Sequence, residues 1–94
     1  MNGKFFKVAE KMADEVRSEL VAARKTKIPR FPRKLLAEAL NVHPSTAMRT
    51  EDGDFPLTVD RFFEICMILD LDPVEVVRKV QEKNIKRVRE VKVL

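Results

Sequence analysis

Apolar side chains recur at Phe5, Val8, Met12, Val16, Leu20 and Ala23, in steps of three and four. On a helix of 3.6 residues per turn this lays one apolar stripe along one face and predicts a long first helix over residues 4–26. The stripe ends at "KTKIPRFPRK". Pro29 and Pro32 forbid helix continuation there and bias Ile28 and Phe31 toward extended backbone. Phe31 is expected to turn its ring into the core. A second helix is predicted from Pro32 or Arg33 to Leu40, with apolar positions Leu35, Leu36, Ala39 and Leu40 and with Asn41 as a left-handed C-terminal residue.

"VHPSTAMRTEDG" predicts a third helix of about two turns. Pro44 suits the first helical position, where a missing N–H costs nothing. The N-cap is then His43, or else Ser45 one step inside. Gly53 stops the helix because glycine tolerates positive φ. A fourth helix follows in "PLTVDRFFEICMILD", capped by Thr58, with Val59, Phe62, Phe63, Cys66 and Leu69 as its core stripe. A fifth begins at Pro73, with Asp72 as cap and Glu75 in the first turn.

The end of the chain is ambiguous. Val74, Val77, Gln81, Asn84, Val88 and Val91 form a heptad-like stripe interrupted by two amides. Such a stripe suits a helix that docks a second subunit, with the amides setting register. Alternatively Val74, Val77 and Val80 finish the core. "VREVKVL" also alternates well enough for a short strand, so helix is expected to about residue 88 with a swapped strand as the alternative.

Composition narrows the class. Ninety-four residues predict one domain, and 45% apolar with 36% charged residues predict a globular, soluble chain. Two Gly and no Trp or Tyr lean the balance toward helix. No apolar run approaches the roughly 20 residues of a membrane span. No secretory signal is expected from "MNGKFFKVAEKMADE". Cys66, the one cysteine, lies in "FFEICMIL" and reads as a buried, inert thiol in a reducing cytoplasm. His43 is the only histidine, and no Gly-rich phosphate loop or metal-ligand cluster stands out, so neither an enzyme nor a cofactor is expected.

The net charge of +4 conceals a division. Residues 1–34 hold ten Lys/Arg against four Asp/Glu, residues 35–76 two against nine, and residues 77–94 seven against two. Two basic ends flank an acidic middle. Basic segments point to a polyanionic partner, or simply to solvated helix faces.

One stretch carries more than charge. "LAEALNVHPSTAMRTEDG" resembles the Cro/CI-type (XRE-like) phage-repressor helix-turn-helix family, whose pattern runs roughly LA-x-x-L-G-V-S-x-S-T-[IV]-S-R-x-E-x-G. Leu36, Ala37, Leu40, Val42, Ser45, Thr46, Arg49, Glu51 and Gly53 fall in register. The resemblance extends over about residues 12–78. Departures are Asn41 for the usual Gly, His43 for Ser or Thr, Pro44 for Gln and Arg33 for Gln. Acidic "DGDFP" also replaces a loop that often offers Lys, Arg or Asn.

The resemblance implies an all-α, five-helix lambda-repressor-like domain over residues 1–78, with the helix-turn-helix at 33–52. Residues 79–94 become a basic extension and a candidate dimerisation element. It also implies a sequence-specific regulator of transcription that binds double-stranded DNA, dimeric on an inverted repeat, cytoplasmic and not membrane-bound. Helix 44–52 would enter the major groove. Ala37, Leu40, Val42 and Ala47 would face inward, and Glu51 would be scaffold. Ser45, Thr46, Arg49 and Thr50 would face bases or phosphates, Met48 a thymine methyl, and His43 a phosphate or base edge. Arg33, Lys34 and the basic run 24–34 would grip the backbone. The alternatives are a protein-binding adaptor on the same fold, with a regulatory protein as partner, or an autoregulatory antitoxin. Asp52 and Asp54 are awkward for DNA, and the acidic middle is what supports the adaptor.

Overall fold

The computed structural model describes residues 3–93. The proline breaks and caps divide the chain into five helices: α1 (Lys4–Lys25), α2 (Arg33–Leu40), α3 (Pro44–Asp52), α4 (Val59–Leu69) and α5 (Pro73–Val93). No strand occurs among the described residues. α1 stops where Thr26 turns its hydroxyl back to the Ala22 carbonyl, 2.9 Å away. Asn41 closes α2 in the left-handed region at φ 57°, as its short polar side chain permits. Gly53 closes α3 at φ 89°, and the N–H groups of Asp54 and Phe55 both bond the Arg49 carbonyl. A side chain at residue 53 would be strained at that φ. Thr58 caps α4 through Oγ1, which accepts the Arg61 N–H at 3.3 Å, and Asp72 Oδ1 accepts the Val74 N–H at 3.0 Å. Asp70 supplies a further left-handed stop that the sequence pattern did not flag.

Leu20, Leu36, Leu40, Phe62, Ile65, Cys66, Leu69 and Val76 make the buried core, with Val16, Phe31, Val42 and Leu57 packed around it. α4 departs from its expected stripe. Val59 is 71% exposed and Phe63 is 47% exposed, while Ile65 is buried. The inward face takes Phe62, Ile65, Cys66 and Leu69, and residues 59, 63 and 67 stand on an exposed flank beside it. Cys66 is buried, and burial pushes its thiol pKa up, in keeping with an unreactive thiol.

α5 corrects the reading of the chain's end. It continues as helix past residue 88 to Val93, so among the described residues the long-helix alternative holds and the swapped strand does not form; Leu94 lies outside the described residues. Its inward residues are Val76, Val80 and Asn84, in steps of four, while Val74 and Val77 point out. α5 lies antiparallel on α1: Lys83 approaches Glu19 at 4.0 Å and Arg87 approaches Glu15 at 3.3 Å. Asn84 is fully buried and fully used. Its Nδ2 donates to Glu15 Oε2 and to the Val80 carbonyl, both at 2.7 Å, and its Oδ1 accepts from Arg87 Nη1 at 2.6 Å. A satisfied buried amide fixes the register of two helices that an apolar stripe alone would let slide. Among the described residues no helix is long and apolar enough to cross a membrane.

The hydrogen bond from Asn84, then Arg87, holds the Glu15 carboxyl below its ordinary pKa against the opposing effect of burial. A carboxyl depressed in the folded state stabilises above its unfolded value and loses that contribution as pH falls through the folded one. Asn84→Ala is expected to destabilise the protein by about 1–3 kcal/mol in urea unfolding at neutral pH, because Glu15 loses its main donor. The stability difference between wild type and Glu15→Gln should shrink as pH falls below the carboxylate range; a constant difference would show that Glu15 is not held as an anion.

Candidate functional site

α3 has nine residues, too few to persist alone, so its position is set by what its inner face touches. Ala47 and Thr50 are buried. Thr50 Oγ1 donates to the Thr46 carbonyl at 2.9 Å. Thr50 therefore belongs to the inner face, and its expected contact with a partner is corrected: its hydroxyl is spent within the helix and shielded from solvent.

α3 also makes an ionic contact with little exposure to solvent. Glu51 is almost wholly buried and takes a forked pair of bonds from Arg24 of α1, with Nε to Oε2 at 2.6 Å and Nη2 to Oε1 at 3.0 Å. Arg24 Nη1 also donates to the Phe31 carbonyl at 3.3 Å, which ties down the loop before α2. Arg33, the first residue of α2, brings Nε to 3.0 Å from Glu51 Oε1, within ion-pair range but outside hydrogen-bond alignment. One carboxylate thus joins α1, α2 and α3. Glu51 is scaffold, and Arg24 is scaffold too, although its place in the basic run suggested an outward role. The signal was in the spacing, because Val16, Leu20 and Arg24 follow one another at steps of four along the inner face of α1.

The N-terminus of α3 is built by His43. Its Nδ1 accepts the Ser45 N–H at 3.1 Å and lies 2.8 Å from Ser45 Oγ. Both cap candidates therefore share one cap. With Nδ1 accepting, the neutral ring carries its proton on Nε2, which leaves a donor on an exposed side chain. Ser45 and Thr46 are half-buried and Ser45 is committed to His43. The outward face of α3 then belongs to Pro44, Met48, Arg49 and Asp52, all exposed. Arg49 makes none of the acidic pairs its neighbours offered. Its guanidinium sits 5.4 Å over the Phe55 ring, which supports the side chain without using its donors.

Beside α3 lies a basic shelf. Lys25, Arg30 and Arg33 line an open cleft of about 390 Å³ with Phe31 and Pro32, and Lys34 is exposed next to it. Pro32 is the N-cap of α2 and offers no side-chain cap, so the first N–H groups of that helix lack a local side-chain acceptor. Guanidinium, ammonium and uncapped N–H groups together suit an anion. Asp52 lines a neighbouring depression with Lys25 and Arg33, so its charge opposes part of that shelf. Asp52 and Asp54 together also border a second groove, which they share with Glu10, Asp14 and Arg17.

The residues named from the sequence thus separate into groups. Met48, Arg49 and His43 are exposed on or beside α3, and Arg33 and Lys34 stand on the shelf. Ser45 and Thr46 are partly occupied, and Thr50 is withdrawn. No protein-family profile, curated protein or solved structure matches the chain.

Removing one partner of a buried ion pair strands the other charge. Glu51→Ala is therefore expected to cost about 3–5 kcal/mol in urea unfolding, a large part of a small domain's total stability. Asp52→Ala, one residue on and exposed, should change stability by no more than about 0.5 kcal/mol. Equal effects for the two would remove Glu51 from its proposed place as the joint.

Proposed function

We propose that the protein is a sequence-specific double-stranded DNA-binding regulator of the Cro/CI, lambda-repressor-like type, reading the major groove with α3 and acting as a homodimer on an inverted repeat in the cytoplasm. The observation that carries the reading is the division of α3 into two faces. One is locked by Ala47, Thr50 and the Glu51 joint. The other presents Arg49 and Met48 beside a basic shelf at the start of α2.

Each part has a role in this reading. Arg49, propped on Phe55, forks onto the O6 and N7 of a guanine. Met48 contacts a thymine methyl. His43 donates from Nε2 to a phosphate or base edge. Arg33 and Lys34, with Lys25 and Arg30, neutralise phosphates at the α2 N-terminus and set the depth of α3 in the groove. Ser45 and Thr46 shape the helix start and touch DNA only at its edge. Asp52 and Asp54 keep the far end of α3 away from the backbone, so the grip is one-sided.

A second reading has its own observation. Glu10, Asp14, Asp52 and Asp54 border an open groove of about 760 Å³ floored by Phe6, Pro56 and Leu57. That groove would suit a basic, partly apolar protein segment, as in an adaptor or in an antitoxin that also represses its own operon.

Selection from random duplexes followed by sequencing is expected to enrich an inverted repeat. Arg49→Ala should weaken binding to it by about 1–3 kcal/mol and relax preference at one base pair of each half-site. Lys34→Ala should weaken all sequences alike and lower the slope of log K against log salt by about one. No enrichment even at low salt would overturn the DNA reading and leave the acidic-groove reading standing.

A further inference from the structure

α4 and α5 leave apolar side chains in water on adjoining faces. Val59, Phe63 and Met67 follow one another at i, i+4 and i+8 on the outer side of α4, at 71%, 47% and 73% exposure. Val74, Val77 and Ile85 are likewise 73%, 47% and 44% exposed on α5. Phe63 of the first row and Val74 and Val77 of the second line one groove of about 370 Å³, together with Phe62, Pro73 and Gln81. Six such side chains open to water present on the order of 400–600 Å², at the upper end of what a monomeric surface carries.

The charges at the border of this groove indicate what covers it. Arg78 lines the groove and pairs with both Glu75 and Glu82 of its own helix. Arg61 pairs with Glu64 at 3.3 Å on α4. Both signs stand side by side, two cations against three anions, so the face suits neither a polyanion nor a polycation. A face that carries both signs beside an apolar strip is complementary to its own copy turned through a two-fold axis, since Arg78 of one chain can meet Glu75 or Glu82 of the other. The apolar area is also the larger part of the roughly 800 Å² that each partner of a standard interface contributes. α3 packs chiefly on α1 and α2, so a partner on the α4–α5 face leaves it open.

We infer that the α4–α5 face is the isologous interface of a homodimer, with Phe63, Val74 and Val77 at its centre. This rests on the dimeric part of the proposed function and not on DNA recognition. It keeps Val74, Val77 and Gln81 of the stripe expected to meet a second subunit and drops Asn84, which is buried inside its own subunit.

Sedimentation equilibrium over a range of concentrations should give a two-chain mass for the wild type. Met67→Glu, at a position too exposed to endanger the fold, should raise the dimer dissociation constant by about tenfold or more. The double variant Phe63→Glu with Val74→Glu should give a one-chain mass with an unchanged helical circular dichroism spectrum. Cys66 is buried, so a new thiol reports without interference: mild oxidation should link Val77→Cys into a covalent dimer and leave Ser18→Cys, on exposed α1 surface, unlinked. A one-chain mass for the wild type at every concentration, or a dimer undiminished in the double variant, would overturn the interface. The two readings separate because Arg49→Ala should lose sequence preference at full dimer mass, whereas the double variant should bind a single half-site with unaltered preference.

Discussion

The placement of α3 depends on one carboxylate. Glu51 lies on a helix of nine residues that has no stability of its own. Through its two oxygens it meets Arg24 from the far end of α1 and Arg33 from the start of α2. A buried pair of this kind adds little net stability over a well-packed apolar contact. What it adds is direction, since a forked guanidinium–carboxylate contact accepts only a narrow range of angles, whereas apolar side chains can slide. Arg24 in turn anchors the Phe31 carbonyl, so the proline-broken segment before α2 is fixed by the same group. Thr50 and Ala47 complete the inner face, and what remains of α3 is presented outward.

The segregation of charge along the chain has a physical resolution in three dimensions. The basic first third and the acidic middle meet at Arg24–Glu51 and Arg33–Glu51, and the basic end meets acids of α1 at Glu15 and Glu19. Part of each linear excess is therefore spent on joining elements. Lys25, Arg30 and Lys34 are left exposed around the start of α2, which is why the positive field is local to one side of α3. The same accounting explains Glu51 within "RTEDGD": its charge is largely buried and paired, whereas Asp52 and Asp54 are exposed and border one groove together.

Features governed by neighbours in sequence were legible, and those governed by distant partners were not. The helix starts at Pro44 and Pro73, the stops at Asn41 and Gly53 and the caps at Thr58 and Asp72 all follow from local backbone rules, and the structure places each there. Phe62, Cys66 and Leu69 of the expected α4 stripe are buried, but "VDRFFEICMIL" is apolar around more than one face, and only the neighbours of the helix decide between Phe63 and Ile65. Asn84 lay on a stripe that looked suited to another subunit. Its partner Glu15 is 69 residues away, beyond any local rule. In the candidate site, the exposure of Met48 and Arg49 on α3 and of Lys34 on α2 agrees with the spacing of those short helices. Thr50 was misplaced because its hydroxyl can satisfy itself on the carbonyl one turn back, which allows a polar side chain to sit inside.

α1 couples these local arrangements. It runs for 22 residues, about 33 Å at 1.5 Å per residue. It is held near its middle by the Glu15–Asn84–Arg87 network on α5 and near its end by the Arg24–Glu51 pair on α3. α3 therefore does not depend on a flexible connection for its orientation toward α5, since a single rigid helix with a polar lock at each contact sets it. In the proposed dimer, two α3 helices on half-sites one turn of DNA apart, about 34 Å, would need such a fixed relation between α3 and the α4–α5 face. Polar locks supply it better than apolar packing would, because a slip of one turn would leave Asn84 or Arg24 buried without a partner, and that penalty rises steeply for charged and amide groups removed from water.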